Sequence, residues 1–270
     1  MIMFSINFTQ TPDSYDEYGV PTFEFTQTKG LRHNQNNVLL EITDNSYLSL
    51  IDEQLFQWVN TEILKAASNG KKLDVLEVGG GDGRFFDRID KITSRYYNIE
   101  PGDFEYSKAT LDRIQKDNYA CIKCSSERMP LPDASVDIVI SIASLDHVPD
   151  YVSTIREARR LLRKGGRFIL CFNNKRSWWK ILLNNTNYLK KREAIILNEH
   201  YFQWSFEEAV NILSTHFKDV QSETRVFLPF IPFIWRLLLP IANLFSPKLL
   251  KKYGGNICLV CESASESRTS

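Results

Sequence analysis

Gly79, Gly80, Gly81 and Gly83 follow directly on the run Val75–Val78 and precede Phe85 and Phe86, in the order VLEVGGGDGRFF. A buried strand that runs into glycines and then into a helix start is a ligand-binding arrangement. Without Cβ atoms the backbone turns sharply and lets a ligand come close. The unpaired N–H groups of the helix start would face that ligand. Glu100 closes the next apolar stretch, 21 residues after Gly79. A carboxylate at such a strand end can accept hydrogen bonds from both hydroxyls of a ribose. The chemistry is therefore that of a nucleoside-containing ligand. A dinucleotide loop, G-x-G-x-x-G/A, needs a small residue where this chain has Arg84, so the spacing speaks against a nicotinamide cofactor.

Taken whole, V-L-E-V-G-G-G-D-G resembles the first motif of class I S-adenosylmethionine (SAM) methyltransferases, E/D-x-G-x-G-x-G, with Glu77 as its acid. N-I-E-P fits the acid of the second motif at Glu100. The stretch 125–150, SSERMPLPDASVDIVISIASLDHVPD, is similar to the third and fourth motifs, which often read D-A-E-x-L-P-F-P-D-x-S-F-D-x-V and then L-H-H-V-x-D. One departure stands out. The acid that often accepts from the adenine N6 falls on Ser125, whose hydroxyl accepts more weakly than a carboxylate. The resemblance implies a SAM site built from Glu77, Gly79, Gly80, Gly81, Gly83, Glu100, Ser125, Ser126, Glu127 and Ser141. It also implies a Rossmann-like α/β fold. Its seven-stranded, mostly parallel sheet would run in the order 3-2-1-4-5-7-6, with helices on both faces and a C-terminal antiparallel hairpin. Specific motifs carry the resemblance over residues 73 to about 173, and topology alone carries it over 200–262.

Methyl transfer is an in-line displacement, so alignment and desolvation can supply most of the acceleration. A general base is needed only where the acceptor carries a proton that must leave. His147, after the fourth strand, and His200, in NEHYFQWS before the late helix, are the candidate catalytic residues. Both also fit quieter roles, His147 as a structural or cofactor-side group and His200 as a capping or packing residue. Two other functions remain open on sequence alone: a SAM-binding protein without transferase activity, and a nicotinamide-dependent oxidoreductase.

The elements that must position these residues alternate. LDVLEV, RYYNIE, YACIKC, VDIVISI and RFILCF read as strands, separated by RFFDRIDKI, a helix ending near Asp117, and a helix from Tyr151 to Leu162. Strands separated by helices make a parallel sheet with right-handed crossovers. Ser205 and Glu208 form a capping box for a helix through Ser214. FKDVQSETRVF and NICLVCE are the returning strands. Ahead of the sheet, Leu48, Ile51, Leu55, Trp58, Val59 and Ile63 recur at helical spacing, which fits a helix packed on the flank or a lid over the cofactor. Residues 1–43 show no periodicity. The implied organisation is an N-terminal extension over 1–70, a methyltransferase domain over 71–262 with insertions at about 174–199 and 227–254, and a disordered tail over 263–270.

Apolar residues make up 43% of the chain and charged residues 24%, which suits a globular protein with a sizeable core. Lys+Arg and Asp+Glu both number 33, so no basic excess points to nucleic acid, and a small-molecule acceptor with an apolar part is the expectation. The start lacks a basic n-region, and the cytoplasm is expected. Cys121-x-x-Cys124 and Cys258-x-x-Cys261 resemble metal-ligand pairs, but both lie in strand sequences, where positions i and i+3 face opposite sides, so no metal set is expected from them. Residues 226–245 are apolar enough to suggest a membrane span, yet Pro229, Pro232, Pro240 and Arg236 break the run. A wall of the acceptor pocket or an interfacial helix is expected instead.

Overall fold

The computed structural model describes residues 6–24, 45–67, 70–102, 107–183, 200–225 and 252–263. Its centre is a sheet of seven strands: β3 (Leu73–Val78), β4 (Thr93–Ile99), β5 (Tyr119–Ile122), β6 (Val136–Ile142), β7 (Leu162–Asn173), β8 (Asp219–Arg225) and β9 (Asn256–Glu262). They lie in the order β5-β4-β3-β6-β7-β9-β8. The first five are parallel to one another, and β9 runs antiparallel to both β7 and β8. Counted from β3, this is the order 3-2-1-4-5-7-6, so the structure bears out the expected sheet and its terminal hairpin.

Every residue of β3 is buried, as a central parallel strand covered on both faces requires. One face packs Leu76, Val78, Val139 and Phe168 under α4 (Tyr151–Leu161) and α6 (Phe206–Ser214). The other packs Val75, Ile138 and Ile169 under α1 (Asn45–Ala66), α2 (Phe86–Ile89) and α3 (Lys108–Ile114). Cys121 and Cys258 belong to the second face, while Cys124 and Cys261 belong to the first. Each pair thus straddles the sheet, as strand geometry dictates. At the amino ends of the strands Asp74 accepts from Arg95 at 2.6 Å and from Arg163 at 2.8 Å. Arg163 also reaches Asp137 at 2.9 Å, so β3, β4, β6 and β7 are tied in register. A cleft at that end, lined by Lys72, Asp90, Thr93 and Asn118, lies opposite the edge where parallel sheets hold ligands.

Three expectations need correction. The helix read over RFFDRIDKI is a single turn, Phe86–Ile89, followed by a 3-10 turn, Asp90–Ile92, because β4 already begins at Thr93. The fifth strand starts at Leu162 rather than after the glycines, with Gly165 at φ +73° inside it. Residues 1–43 are not wholly irregular: β1 (Ser14–Tyr15) and β2 (Pro21–Thr22) form a small hairpin. Strands of two residues are too short to show alternation. The hairpin is held by Phe23 N–H donating to the Lys123 carbonyl at 2.8 Å and Lys123 N–H donating to that of Pro21 at 2.9 Å. It extends the sheet beyond β5 and buries Val20 and Phe23. The capping box falls where expected, with the Ser205 hydroxyl accepting from Glu208 N–H and the Glu208 carboxylate accepting from Ser205 N–H. The α1 stripe packs as read: Leu55, Val59 and Ile63 are fully buried in the same core as β3. α5 (Trp178–Leu183) opens the 174–199 insertion, whose far part lies, with the apolar run 226–245 and the tail beyond Ser263, outside the described residues.

Candidate functional site

β3 ends at Val78 and the chain turns at once. Gly79, at φ +65°, donates its N–H to the Ile99 carbonyl at 2.8 Å, which pins the loop to β4. A Cβ on Gly79 would lie 2.5 Å from the Ser144 Cβ, so the loop after β6 packs directly on it. A Cβ on Gly80 would collide with Asn98 and Glu77, and one on Gly83 with the Tyr119 hydroxyl. Gly81 is different. Its φ is +53°, and an added Cβ would meet nothing within 4 Å. Three of the glycines make room for the protein itself, while Gly81 borders open space at the carboxyl ends of the strands.

Beneath the loop lies a polar layer. Glu77 is buried and accepts from the Tyr96 hydroxyl. Burial raises its pKa to about 7, against the lowering effect of that hydrogen bond. Asn98 Nδ2 donates to the Gly81 carbonyl at 2.9 Å and to the Tyr119 hydroxyl at 3.0 Å. Glu100, just past the end of β4, accepts from Gly81 N–H at 3.1 Å and Gly102 N–H at 2.9 Å. The sequence-predicted ribose acceptor thus also shapes the loop. Both roles fit a carboxylate, which has about four acceptor positions.

The predicted adenine-side residues follow β5. The Ser125 hydroxyl donates to the Glu127 carboxylate, which in turn accepts from Asp150 N–H at 2.9 Å. The Ser126 hydroxyl instead pairs with that of Thr154 on α4 at 2.9 Å, so its side chain braces the helix. Ser141, in β6, pairs with the Ser144 hydroxyl at 2.8 Å, and Ser144 donates to the Val78 carbonyl at 2.5 Å. Between them Ala143 has φ +52°, a left-handed conformation that an L-residue holds only at a cost, typically at functional sites.

Beyond Ser144 the chain makes a 3-10 turn, Leu145–His147. The structure brings the two predicted histidines together, with ring centroids 4.3 Å apart. Asp146, 1% exposed, lies with one carboxylate oxygen 3.2 Å from His200 Nε2. Asn173, the last residue of β7, places Nδ2 3.3 Å from His200 Nε2 and 3.4 Å from the same Asp146 oxygen. Burial would raise the Asp146 pKa, but the hydrogen bond and charge of His200 hold it below the ordinary carboxylate value. Asp146 and Asn173 were not singled out by sequence. A signal existed: Asp146 occupies the first histidine of the L-H-H-V pattern, a departure as specific as that at Ser125.

Residues 76–170 match the methyltransferase domain family. A probable S-adenosylmethionine-dependent methyltransferase of Mycolicibacterium smegmatis is 31% identical over 105 residues, 38% of this chain and 38% of that protein. Over residues 76–170 the chain is similar to SAM-dependent methyltransferases. The ubiquinone/menaquinone biosynthesis C-methyltransferase of Brucella anthropi is 30% identical over 137 residues, 48% of this chain and 46% of that one. The chain thus spans under half the length of either curated relative, at 38% and 46%. The fold is similar to that of phosphoethanolamine N-methyltransferase 2 of Haemonchus contortus, solved with phosphomonomethylethanolamine and S-adenosylhomocysteine. That likeness has a TM-score of 0.56 at 14% identity, and covers 76% of this chain and 53% of that one. The matched span holds the glycine loop and the 3-10 turn. Glu77, the loop, Glu100, Ser125–Glu127, Ser141, Asp146 and His147 all fall inside the matched span, while Asn173 and His200 lie beyond it.

Proposed function

We propose that the chain transfers a methyl group from SAM to a small-molecule acceptor with an apolar part, in the cytoplasm. The carrying observation is the open space on the Gly81 side of the loop, faced by Glu100 at the end of the neighbouring strand. SAM, when bound, supplies a methyl group on a positively charged sulfur, ready for displacement. The chain's part is to hold that group and to exclude water. In this reading Gly79–Gly83 cradle the amino-acid portion, Glu100 accepts from the ribose hydroxyls, and the turn at Ser125–Glu127 borders the adenine. The backbone of Ser126 does that work, since its hydroxyl is engaged with Thr154. Ser141 and Ser144 keep the β6 end packed against Gly79. The Asp146–His147–His200 group stands at the acceptor side, where a protic acceptor would lose its proton. Five buried, unbridged cysteines support a reducing compartment. No helix among the described residues is long and apolar enough to cross a membrane.

The test is turnover of methyl-labelled SAM against fractionated small-molecule extracts, with Gly81→Val as the control. Label transferred by wild type and not by the variant supports the reading. A wild type that binds SAM tightly but transfers no label to any fraction refutes the transferase activity and leaves a binding protein.

A further inference from the structure

Among the described residues, Asp146, His147 and His200 each place one ligand-type atom so that all three lie within 4.8 Å of one another. The geometry crowds two donors onto one carboxylate oxygen and leaves the other bare. A ring nitrogen of a neutral imidazole either donates or accepts, never both. His200 Nε2 has the Asp146 carboxylate, an acceptor, at 3.2 Å and Asn173 Nδ2, a donor, at 3.3 Å. With a proton on Nε2, His200 and Asn173 both donate to one Asp146 oxygen while the two donor nitrogens sit only 3.3 Å apart. Without one, two lone pairs face each other across the His200–Asp146 gap. The other Asp146 oxygen, Oδ1, is buried with no hydrogen-bond partner among the described residues, although leaving such an atom unsatisfied is costly.

A cation in the His200–Asp146 gap takes the place of that proton, and a carboxylate that turns Oδ1 toward it gives the unsatisfied oxygen a partner. The Nε2 lone pair and the carboxylate would both point at it, and Asn173 Nδ2 would donate to the ligating carboxylate from the outer shell. The His200–Asp146 separation also suits this. Bonds of about 2.0–2.1 Å in a tetrahedral site set ligand atoms about 3.3 Å apart. Two imidazoles and one carboxylate are the donor set of a borderline ion such as zinc, and three protein ligands leave a coordination position open.

We infer that Asp146, His147 and His200 bind one divalent transition-metal ion of zinc's class, its open position facing the acceptor. The acceptor's part in this rests on the methyl-transfer reading; binding of the ion does not. An ion there would hold an acceptor oxygen and lower its pKa, as zinc does for bound water.

The experiment uses the full chain, stripped with a chelator and dialysed, then titrated calorimetrically with zinc chloride and, separately, with SAM. One zinc per chain is expected. Asp146→Asn, His147→Gln and His200→Gln should each weaken it by about 100-fold or more, since even outer-shell losses cost 10–100-fold. His216→Gln, beyond the far end of α6, should not change it. Cobalt(II) added to the stripped wild type reports independently of any variant's folding, through the strong visible absorption of four-coordinate cobalt. No zinc uptake by wild type, equal uptake by the three variants, or only the weak absorption of six-coordinate cobalt would each overturn the inference. SAM binding retained without zinc binding removes the ion and leaves the methyl-transfer reading standing. Zinc binding without SAM binding does the reverse.

Discussion

Gly81 and Gly80 are neighbours with opposite reasons for being glycine. Gly81→Val would place its side chain in open space, so the protein should fold, destabilised by about 1–2 kcal/mol for a β-branched residue at φ +53°. SAM affinity should fall at least 100-fold. Gly80→Ala would instead press on Glu77 and Asn98 and should lower the melting temperature before it touches affinity. Thermal melts and SAM calorimetry on both variants separate the two; equal SAM affinity for Gly81→Val and wild type would sink the placement of the cofactor. Glu100→Ala should weaken SAM by about 1.5–3 kcal/mol, the scale of hydrogen bonds to a charged group. It should do so even for an analogue lacking the ribose hydroxyls, only less, because Gly81 N–H and Gly102 N–H lose their acceptor as well.

Glu77 makes a prediction about pH. Its pKa rises from 4.5 to about 7 on folding, so the folded state holds that proton more tightly than the unfolded one. The stability this contributes is complete below pH 4.5 and is lost as pH climbs to about 7, a change of about 3 kcal/mol at 1.36 kcal/mol per unit. The ligand-free protein should therefore lose melting temperature over that window, and Glu77→Gln should flatten the profile. SAM carries positive charge and favours the ionised carboxylate, so its affinity should rise with pH across the same interval in wild type only. A Glu77→Gln profile that still slopes like wild type would assign the titration elsewhere.

At the scale of elements, α1 couples the flank to the glycine loop. Its Asp52 accepts from Arg84 at 2.7 Å, its Glu53 pairs with Arg88, and Phe56 packs edge-on against Phe85 with both arginines over its ring. The flank and lid readings of this helix are thus compatible, since the buried stripe holds the helix while its polar side grips the residues after Gly83. Phe56→Ala should cost about 3 kcal/mol of stability and loosen SAM beyond what the same loss does at Leu213, which α6 buries on the opposite face. Equal SAM affinities in the two variants, measured well below their melting temperatures, would confine α1 to packing.

At the scale of the molecule, the sheet was legible because its strands obey local rules. β6 was read to the residue as VDIVISI, and the Ser205 cap announced α6 through hydrogen bonds three residues apart. The glycine loop was legible for the same reason. The Asp146–His200–Asn173 group was not, since it joins a turn, a strand end and a distant loop through contacts 27 residues or more apart in sequence, and no local period marks them. The hairpin β1–β2 escaped because pairing with Lys123, about 100 residues on, defines it. Arg225 and Asn256 pair with each other, and Asn256 also pairs with Asn173 at the carboxyl end of β7. Phe230→Asp and Phe233→Asp are expected to impair methyl transfer more than SAM binding; a parallel loss of activity, affinity and melting temperature would mean ordinary packing instead.

One feature of the sheet governs how the chain can be made. β9, the last strand among the described residues, lies between β7 and β8 rather than at the rim. Synthesis proceeds from the amino end, so the glycine loop and all five parallel strands leave the ribosome long before β9, the partner of β7, exists. Until Asn256–Glu262 emerges, β7 presents an open edge of Phe168, Leu170 and Phe172, an invitation to pair with another chain. A nascent chain stalled before residue 256 should therefore need a chaperone, and the same sequence released after β9 should not.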